Sequence, residues 1–299
     1  MSDGPDGRTA GGSRVGCVVP VFQPGADLVA GLGSVLPQVD EVVLVLDEAG
    51  PGPHTEELLA QCVAAGARVV RHDANRGIGA ALNSGVRALA GHAPDFVLTL
   101  DQDSRLDEGY VAELVAAYRS AGDHGVRVGM VAPASVESIG RMSARQEGDV
   151  LVGGEPIQSG LLVPRAVLEE VGGFDEALFI DGVDTDFYLR ALDAGYACVI
   201  APGTRIGHRL GRAHEGPVRR GPALVVAADF RYYYQWRNLV RLLRRHGRRH
   251  RGWAVHAVWK AVRHLGIVTV LVPGRRPRIA AAAAGLRAGV TGREGRAQA

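Results

Sequence analysis

Two carboxylates one residue apart, Asp101 and Asp103, end the run Phe96-Val-Leu-Thr-Leu-Asp-Gln-Asp-Ser104. Such a pair offers hard oxygen ligands, the donor set that suits Mg²⁺ or Mn²⁺ bridging a diphosphate. If the extended backbone continues through them, both side chains share a face, because side chains repeat every second residue. A second acidic group lies in Phe179-Ile-Asp181-Gly-Val-Asp184-Thr-Asp186. Asp184 and Asp186 stand at a predicted helix start, where the dipole favours anions. One acid suffices as a cap, so a carboxylate is left over that can act as a general base. His208 follows a strand-like segment. A lone histidine is more often structural than a ligand, but an imidazole would complete the shell of a metal held by one or two carboxylates.

Those residues need elements to place them. Val15–Val21, Glu41–Asp47, Arg68–Arg71 and Asp95–Asp101 read as strands rich in Val, Ile and Leu. Between and after them, Ala26–Leu36, Thr55–Ala65, Ile78–Leu89 and Glu108–Ala121 read as helices. This alternation predicts a parallel α/β sheet with both faces covered, and ligands of such sheets sit at the carboxyl ends of the strands. Asp47 and the Asp101 pair end strands in that way. Past Val126 the rhythm changes. Val128–Ala132, Ser159–Pro164 and Tyr196–Ala201 read as further strands, with helices at Arg165–Val171 and Asp184–Ala194. Glu137–Asp149 is polar and irregular, and Leu210–Pro222 reads as a mobile loop. Ala227–Arg245 and Gly252–Val272 are predicted helices, and an Arg-, Ala- and Gly-rich tail follows from Pro273.

Asn75-Arg-Gly77-Ile-Gly79-Ala-Ala-Leu82-Asn83 opens the third helix. Its Gly-x-Gly invites a dinucleotide reading. Leu82 replaces the third glycine and the motif follows the third strand, so a nicotinamide dehydrogenase is not expected. A glycine-rich entry to a helix suits an anionic or polar ligand, and equally a tight turn with a cap.

The 299 residues carry a net charge of +2, 46% apolar and 22% charged residues, ordinary values for a globular chain. No global field calls for nucleic acid. Cys17, Cys62 and Cys198 are far apart and imply neither a zinc site nor a disulfide framework, which fits a reducing cytoplasm. Residues 1–13 lack an apolar core, so they read as a disordered tail and not as a signal peptide. The most apolar stretch, Trp253–Val272, is interrupted by Lys260, Arg263 and His264. Arg237, Arg241, Arg245 and Arg248 form a basic helical stripe opposite Leu239, Leu242 and Leu243. The stripe reads either as a solvated face or as a surface for an anionic inner leaflet. Tyr232, Tyr233, Tyr234 and Trp236 beside it read as core or as walls of an acceptor groove.

In their order these motifs resemble the family 2 inverting glycosyltransferases of GT-A fold, in particular the bacterial rhamnosyltransferase branch. The pieces are Val19-Pro-Val-Phe-Gln-Pro24, Asp47, Asn75–Asn83, Leu100-Asp-Gln-Asp-Ser104, Gln158-Ser-Gly160, Gly173-Phe-Asp-Glu176, Leu178–Asp186 and His208-Arg-Leu-Gly211. The resemblance implies a GT-A domain over 14–223 with a basic helical C-terminal extension over 224–299. It implies a donor site built from Pro20, Asp47, Asn75, Gly77, Asp101, Gln102, Ser159 and Gly160. It makes Asp101 and Asp103 the DxD pair, with Asp103, His208 and Asp101 around Mg²⁺ or Mn²⁺. Asp184 matches the catalytic base, with Asp181 and Asp186 as fallbacks. The usual acid before the base is Val183 here. The implied partners are a nucleotide-sugar donor, dTDP-rhamnose by resemblance, and a cell-envelope glycan or lipid-linked acceptor. The implied location is cytoplasmic, with peripheral association at the inner face of the plasma membrane. The alternatives are a UDP-hexose transferase and a sugar nucleotidyltransferase. The latter would want a glycine-rich loop with Arg and Lys after the first strand, which is absent. A non-catalytic binding relative would show amides at Asp101, Asp103 or Asp184.

Overall fold

The computed structural model describes residues 12–137, 140–207, 212–214 and 224–297. Most of the expected N-terminal tail lies outside them. The chain begins with β1 (Val15–Val21), α1 (Asp27–Val35), β2 (Glu41–Leu46), α2 (Pro53–Ala64), β3 (Arg68–Arg71), α3 (Ile78–Leu89) and β4 (Phe96–Thr99). Next come β5 (Arg105–Leu106), α4 (Tyr110–Asp123), β6 (Val128–Val136), β7 (Gly140–Arg141), β8 (Ala144–Glu147), β9 (Val150–Gly153) and β10 (Leu161–Pro164). The last part holds α5 (Arg165–Val171), α6 (Val183–Asp193), β11 (Ala197–Gly207), β12 (Arg212–His214), β13 (Leu224–Val226), α7 (Asp229–His246), α8 (Arg251–Leu271) and α9 (Arg275–Val290).

The main sheet runs β3-β2-β1-β4-β10-β6-β11-β9-β8, with β5 and β7 attached to β11 and β6. The first four strands are parallel, as expected. β10 then enters antiparallel between β4 and β6, so the sheet is mixed. The residues of β1 alternate between two cores, as the pleat requires. Cys17, Val19 and Val21 pack with α1 and α4, while Val18 packs with α3, α5 and α6. Leu242 of α7 joins the second core, so α7 is built onto the body that carries the main sheet.

One expectation changes, and the helical C-terminal extension gains detail. The polar stretch Glu137–Asp149 is not irregular throughout, because β8 pairs with β9 as a hairpin at the sheet edge. The tail after Pro273 contains a helix, α9, that packs along α7. Its lack of an apolar stripe hid it, and glycines make the packing possible. A Cβ on Gly285 would stand 2.1 Å from the Tyr233 carbonyl oxygen, and one on Gly289 would stand 2.7 Å from that of Arg237. Finally, the helix expected over 252–272 is present as α8, with Lys260 and Arg263 on its exposed surface. By length and composition alone it could cross a membrane, and only 6% of that window is buried.

Candidate active site

The carboxyl ends of β1, β2 and β4 carry the first half of the site. β4 stops at Thr99, and Asp101 and Asp103 lie in a turn closed by the Ser104 amide donating to the Asp101 carbonyl at 3.1 Å. The alternation expected through this pair therefore ends before it. The turn is pinned from beneath. The Asp101 amide donates to Ser159 Oγ at 3.0 Å, and the Ser104 and Ser159 hydroxyls lie 2.7 Å apart. Ser159 and Gly160 thus stand under the acidic pair. Gly160, at φ 82°, leaves room for Tyr110, whose hydroxyl donates to its carbonyl at 2.7 Å. Gln102 accepts from the Phe22 amide at 2.9 Å and donates to the Phe22 carbonyl at 3.1 Å. It ties the turn to the loop after Pro20.

Asp47 is buried at the end of β2. Its carboxylate accepts from the Arg76 and Gly77 amides at 2.8 and 2.7 Å and meets His72 Nδ1 at 2.7 Å. Asn75 Oδ1 also accepts from Gly77, at 3.2 Å. Asp47 and Asn75 therefore shape the glycine-rich loop. Gly77 has φ 92°, and a Cβ there would stand 2.4 Å from the Phe179 carbonyl oxygen. Only glycine permits this approach, and it brings the loop against the second acidic segment.

In that segment the three acids separate. Asp186 is fully buried, with Arg190 Nε at 2.7 Å, His246 Nε2 at 2.9 Å and Arg245 at 3.1 Å. Burial alone would raise its pKa, but His246 and then Arg190 overcome that and hold the carboxyl below its ordinary value. Its oxygens are taken up by these partners. Asp181, at φ 64°, is paired with Arg231 of α7. Asp184 sits in the first turn of α6 and accepts from the Thr185 amide at 2.8 Å. Its pKa is pushed up to about 6 by burial first, then by Glu155 and Asp181.

Arg231 faces both acidic groups. Burial works against its charge, and Asp181, Asp101 and Asp184 more than offset that, holding its pKa above the ordinary value. Further along α7, Arg237 is 1% exposed and donates to the Leu178 carbonyl at 2.8 Å. Asn238 donates to the carbonyls of Leu178, Ile180 and Asp181 at 2.9, 2.7 and 2.7 Å. Phe179 and Asp181 both carry positive φ, and such strain persists only where surrounding structure over-determines it. Arg237 and Asn238 supply that structure.

This corrects the basic stripe. Arg237 is interior, Arg241 pairs with Asp175 and Glu294, and Arg245 pairs with Asp175 and Asp186. Arg237 and Arg241 thus form an internal clamp, while Arg245 and Arg248 remain exposed. Tyr232 and Tyr234 are core, with Tyr234 stacked on Phe179 at 4.9 Å. Glu155, Arg231 and Asn238 escaped the sequence reading. An asparagine inside a strong helix is the one signal that pointed to the clamp.

His208 lies outside the described residues. Among the described residues, no group of three His, Cys, Asp or Glu gathers as a ready metal cage. Two carboxylates on one turn still fit Mg²⁺ or Mn²⁺, which bind through one or two carboxylates and complete their shells with phosphates and water.

Residues 17–146 match the family model described as Glycosyl transferase family 2. The dTDP-rhamnosyl transferase RfbF of Shigella flexneri is 29% identical over 187 residues, 57% of this chain and 61% of that protein. The chain thus matches less than two thirds of this relative's length. Among solved structures, a Pyrobaculum calidifontis mannosyltransferase in complex with GDP-Man and Mn²⁺ superposes with TM-score 0.54 and 17% identity, covering 93% of this chain and 81% of that one. GalNAc-T7 with UDP, GalNAc and Mn²⁺ gives 0.55 and 17% over 76% of this chain and 51% of that one. TarS residues 1–349 of S. aureus with UDP-GlcNAc give 0.52 and 14% over 94% and 92%. Over residues 17–146 the chain is thus similar to the family 2 glycosyltransferases, its fold is that of the glycosyltransferase structures it superposes on, and its relative lies in the rhamnosyltransferase branch.

Proposed function

We propose that this protein transfers a sugar, rhamnose from dTDP-rhamnose, to a cell-envelope glycan or lipid-linked acceptor, with inversion and with Mg²⁺ or Mn²⁺. The observation that carries the reading is the pairing of two acidic sites on separate segments, joined where Gly77 meets Phe179. Asp101 and Asp103 would hold the metal, with His208 as a further ligand. The metal would supply Lewis-acid stabilisation of the departing diphosphate. Asn75, Gly77 and Gln102 shape the donor cleft, together with Asp47 behind the loop. Asp184 would take the proton of the acceptor hydroxyl. A carboxylate with pKa about 6 suits that task better than an ordinary one. Asp186 and Asp181 are paired with cations, which favours Asp184 over both fallbacks. Attack opposite the leaving group in a single displacement inverts the anomeric centre. The rhamnosyl assignment rests on the Shigella relative, and the neighbouring structures with GDP-Man and UDP-GlcNAc keep other donors open.

The exposed arginines at the end of α7 and beyond it, Arg244, Arg245, Arg248 and Arg249, would offer a membrane surface, and so would α8. Val255, Trp259, Val262 and Val270 are exposed beside Lys260 and Arg263, a mixture suited to an anionic leaflet. This supports a cytoplasmic protein held peripherally at the inner membrane face. Binding is tested by thermal shift with Mn²⁺ against dTDP-rhamnose, UDP-glucose, GDP-mannose and phosphatidylglycerol vesicles. Ligand at 100 times its Kd stabilises by about 2.7 kcal/mol. A response to dTDP-rhamnose that EDTA abolishes is expected, with binding retained and transfer lost in Asp184→Asn. A response to UDP-glucose alone would overturn the rhamnosyl assignment, and transfer retained in Asp184→Asn would overturn the base.

A further inference from the structure

Glu155 stands on the loop between β9 and β10, on the exposed rim of the second acidic site. Its carboxylate accepts from the Thr185 hydroxyl in the first turn of α6. The other oxygen accepts from the Trp253 indole N–H of α8 at 3.2 Å. Two donors from two helices therefore hold this loop carboxylate beside the residue that precedes Thr185 in the chain, Asp184. Nothing in the packing demands a charge at this exposed position, since a loop side chain there could simply face water.

We propose that Glu155 is a positioning residue for the base: it braces the first turn of α6 through Thr185 and holds a second negative charge beside Asp184. The proposal rests on Asp184 being the base. The groups facing Asp184 are Glu155 from the β9–β10 loop, Asp181 from the preceding turn and Arg231 from α7; Tyr188, one turn along α6, faces Glu155. Of these, Glu155 is the largest charge that pushes the Asp184 carboxyl upward, after burial itself. A neighbouring like charge favours the protonated form, and so makes the ionised carboxylate a stronger proton acceptor. The link to Trp253 also connects the strength of the base to the seating of α8.

Glu155→Gln tests this, because the amide keeps the shape and one acceptor oxygen while removing the charge. Carboxyl-¹³C aspartate NMR reads ionisation directly and needs no acceptor, and Asp184→Asn identifies the resonance. In the unaltered protein the midpoint is expected near 6. In Glu155→Gln it is expected to fall by roughly half to one pH unit. Hydrolysis of dTDP-rhamnose in the presence of Mn²⁺, with water as acceptor, should show its acid limb moving down equally. Its kcat should fall several-fold while KM for the donor stays put. Thr185→Val, which breaks the contact from the other side, should move the same limb in the same direction. An unmoved NMR midpoint and acid limb in Glu155→Gln overturn the proposal while leaving the base reading intact. Hydrolysis surviving in Asp184→Asn overturns both, and is recognised by that variant alone.

Discussion

The two acidic halves of the site are held in opposite ways. The Asp101–Ser104 turn is fixed from within the domain by Ser159, Gly160 and Gln102, whose partners all precede residue 161. The Phe179–Asp186 segment is fixed by α7, some sixty residues further on, through Arg231, Arg237, Asn238 and His246. The first half uses backbone amides and small hydroxyls. The second uses buried guanidinium and amide side chains to hold two residues at positive φ. The two halves thus rest on different supports, although Arg231 of α7 also faces Asp101.

The largest test is Asp186→Asn. It leaves Arg190, His246 and Arg245 facing a neutral group, and losing one partner of a buried pair costs about 3–5 kcal/mol. Urea denaturation at pH 7 should show this loss. Next is the pH dependence at Asp184. Its folded pKa, about 6, lies above the 3.8 of an ordinary aspartate, so ionising it opposes folding, by about 3 kcal/mol at most. That cost is absent below pH 3.8, grows as the pH rises towards 6 and is complete above it. Asp184→Asn should therefore melt higher than the unaltered protein at pH 8, with the gap closing between pH 6 and pH 4 in calorimetry. The smallest effect separates the halves most cleanly. Ser159→Ala should cost about 1 kcal/mol and weaken donor binding in titration calorimetry, while the NMR midpoint of Asp184 stays in place. A shift of that midpoint would mean that the halves are coupled beneath the sheet.

The donor half was legible because its determinants are local. A buried apolar run ending in Asp101, and glycines ahead of α3, announce themselves in a few residues. Even there, alternation extrapolated beyond Thr99 misjudged the orientation of the acidic pair, because a turn takes over where ladder hydrogen bonds end. The base half was legible only as spacing: three acids appeared in one string, but their different partners did not. Arg237 looked like one of several surface arginines, since periodicity places a residue on a helix face and says nothing of what covers that face. The seating of α9 on α7 was invisible for a related reason, as its glycines matter only against the backbone of α7.

The clamp also sets an order of assembly. During synthesis, a nascent chain that has emerged as far as β13 already contains every strand of the main sheet and the donor turn. The carbonyls of Leu178, Ile180 and Asp181 then still lack the amide of Asn238, and the Gly295 carbonyl to which Arg237 donates comes later still. N-terminal parts fold first as a chain is made, so under the proposed function the donor turn would form before the base segment is braced, and a prematurely terminated product would bind nucleotide sugar without consuming it.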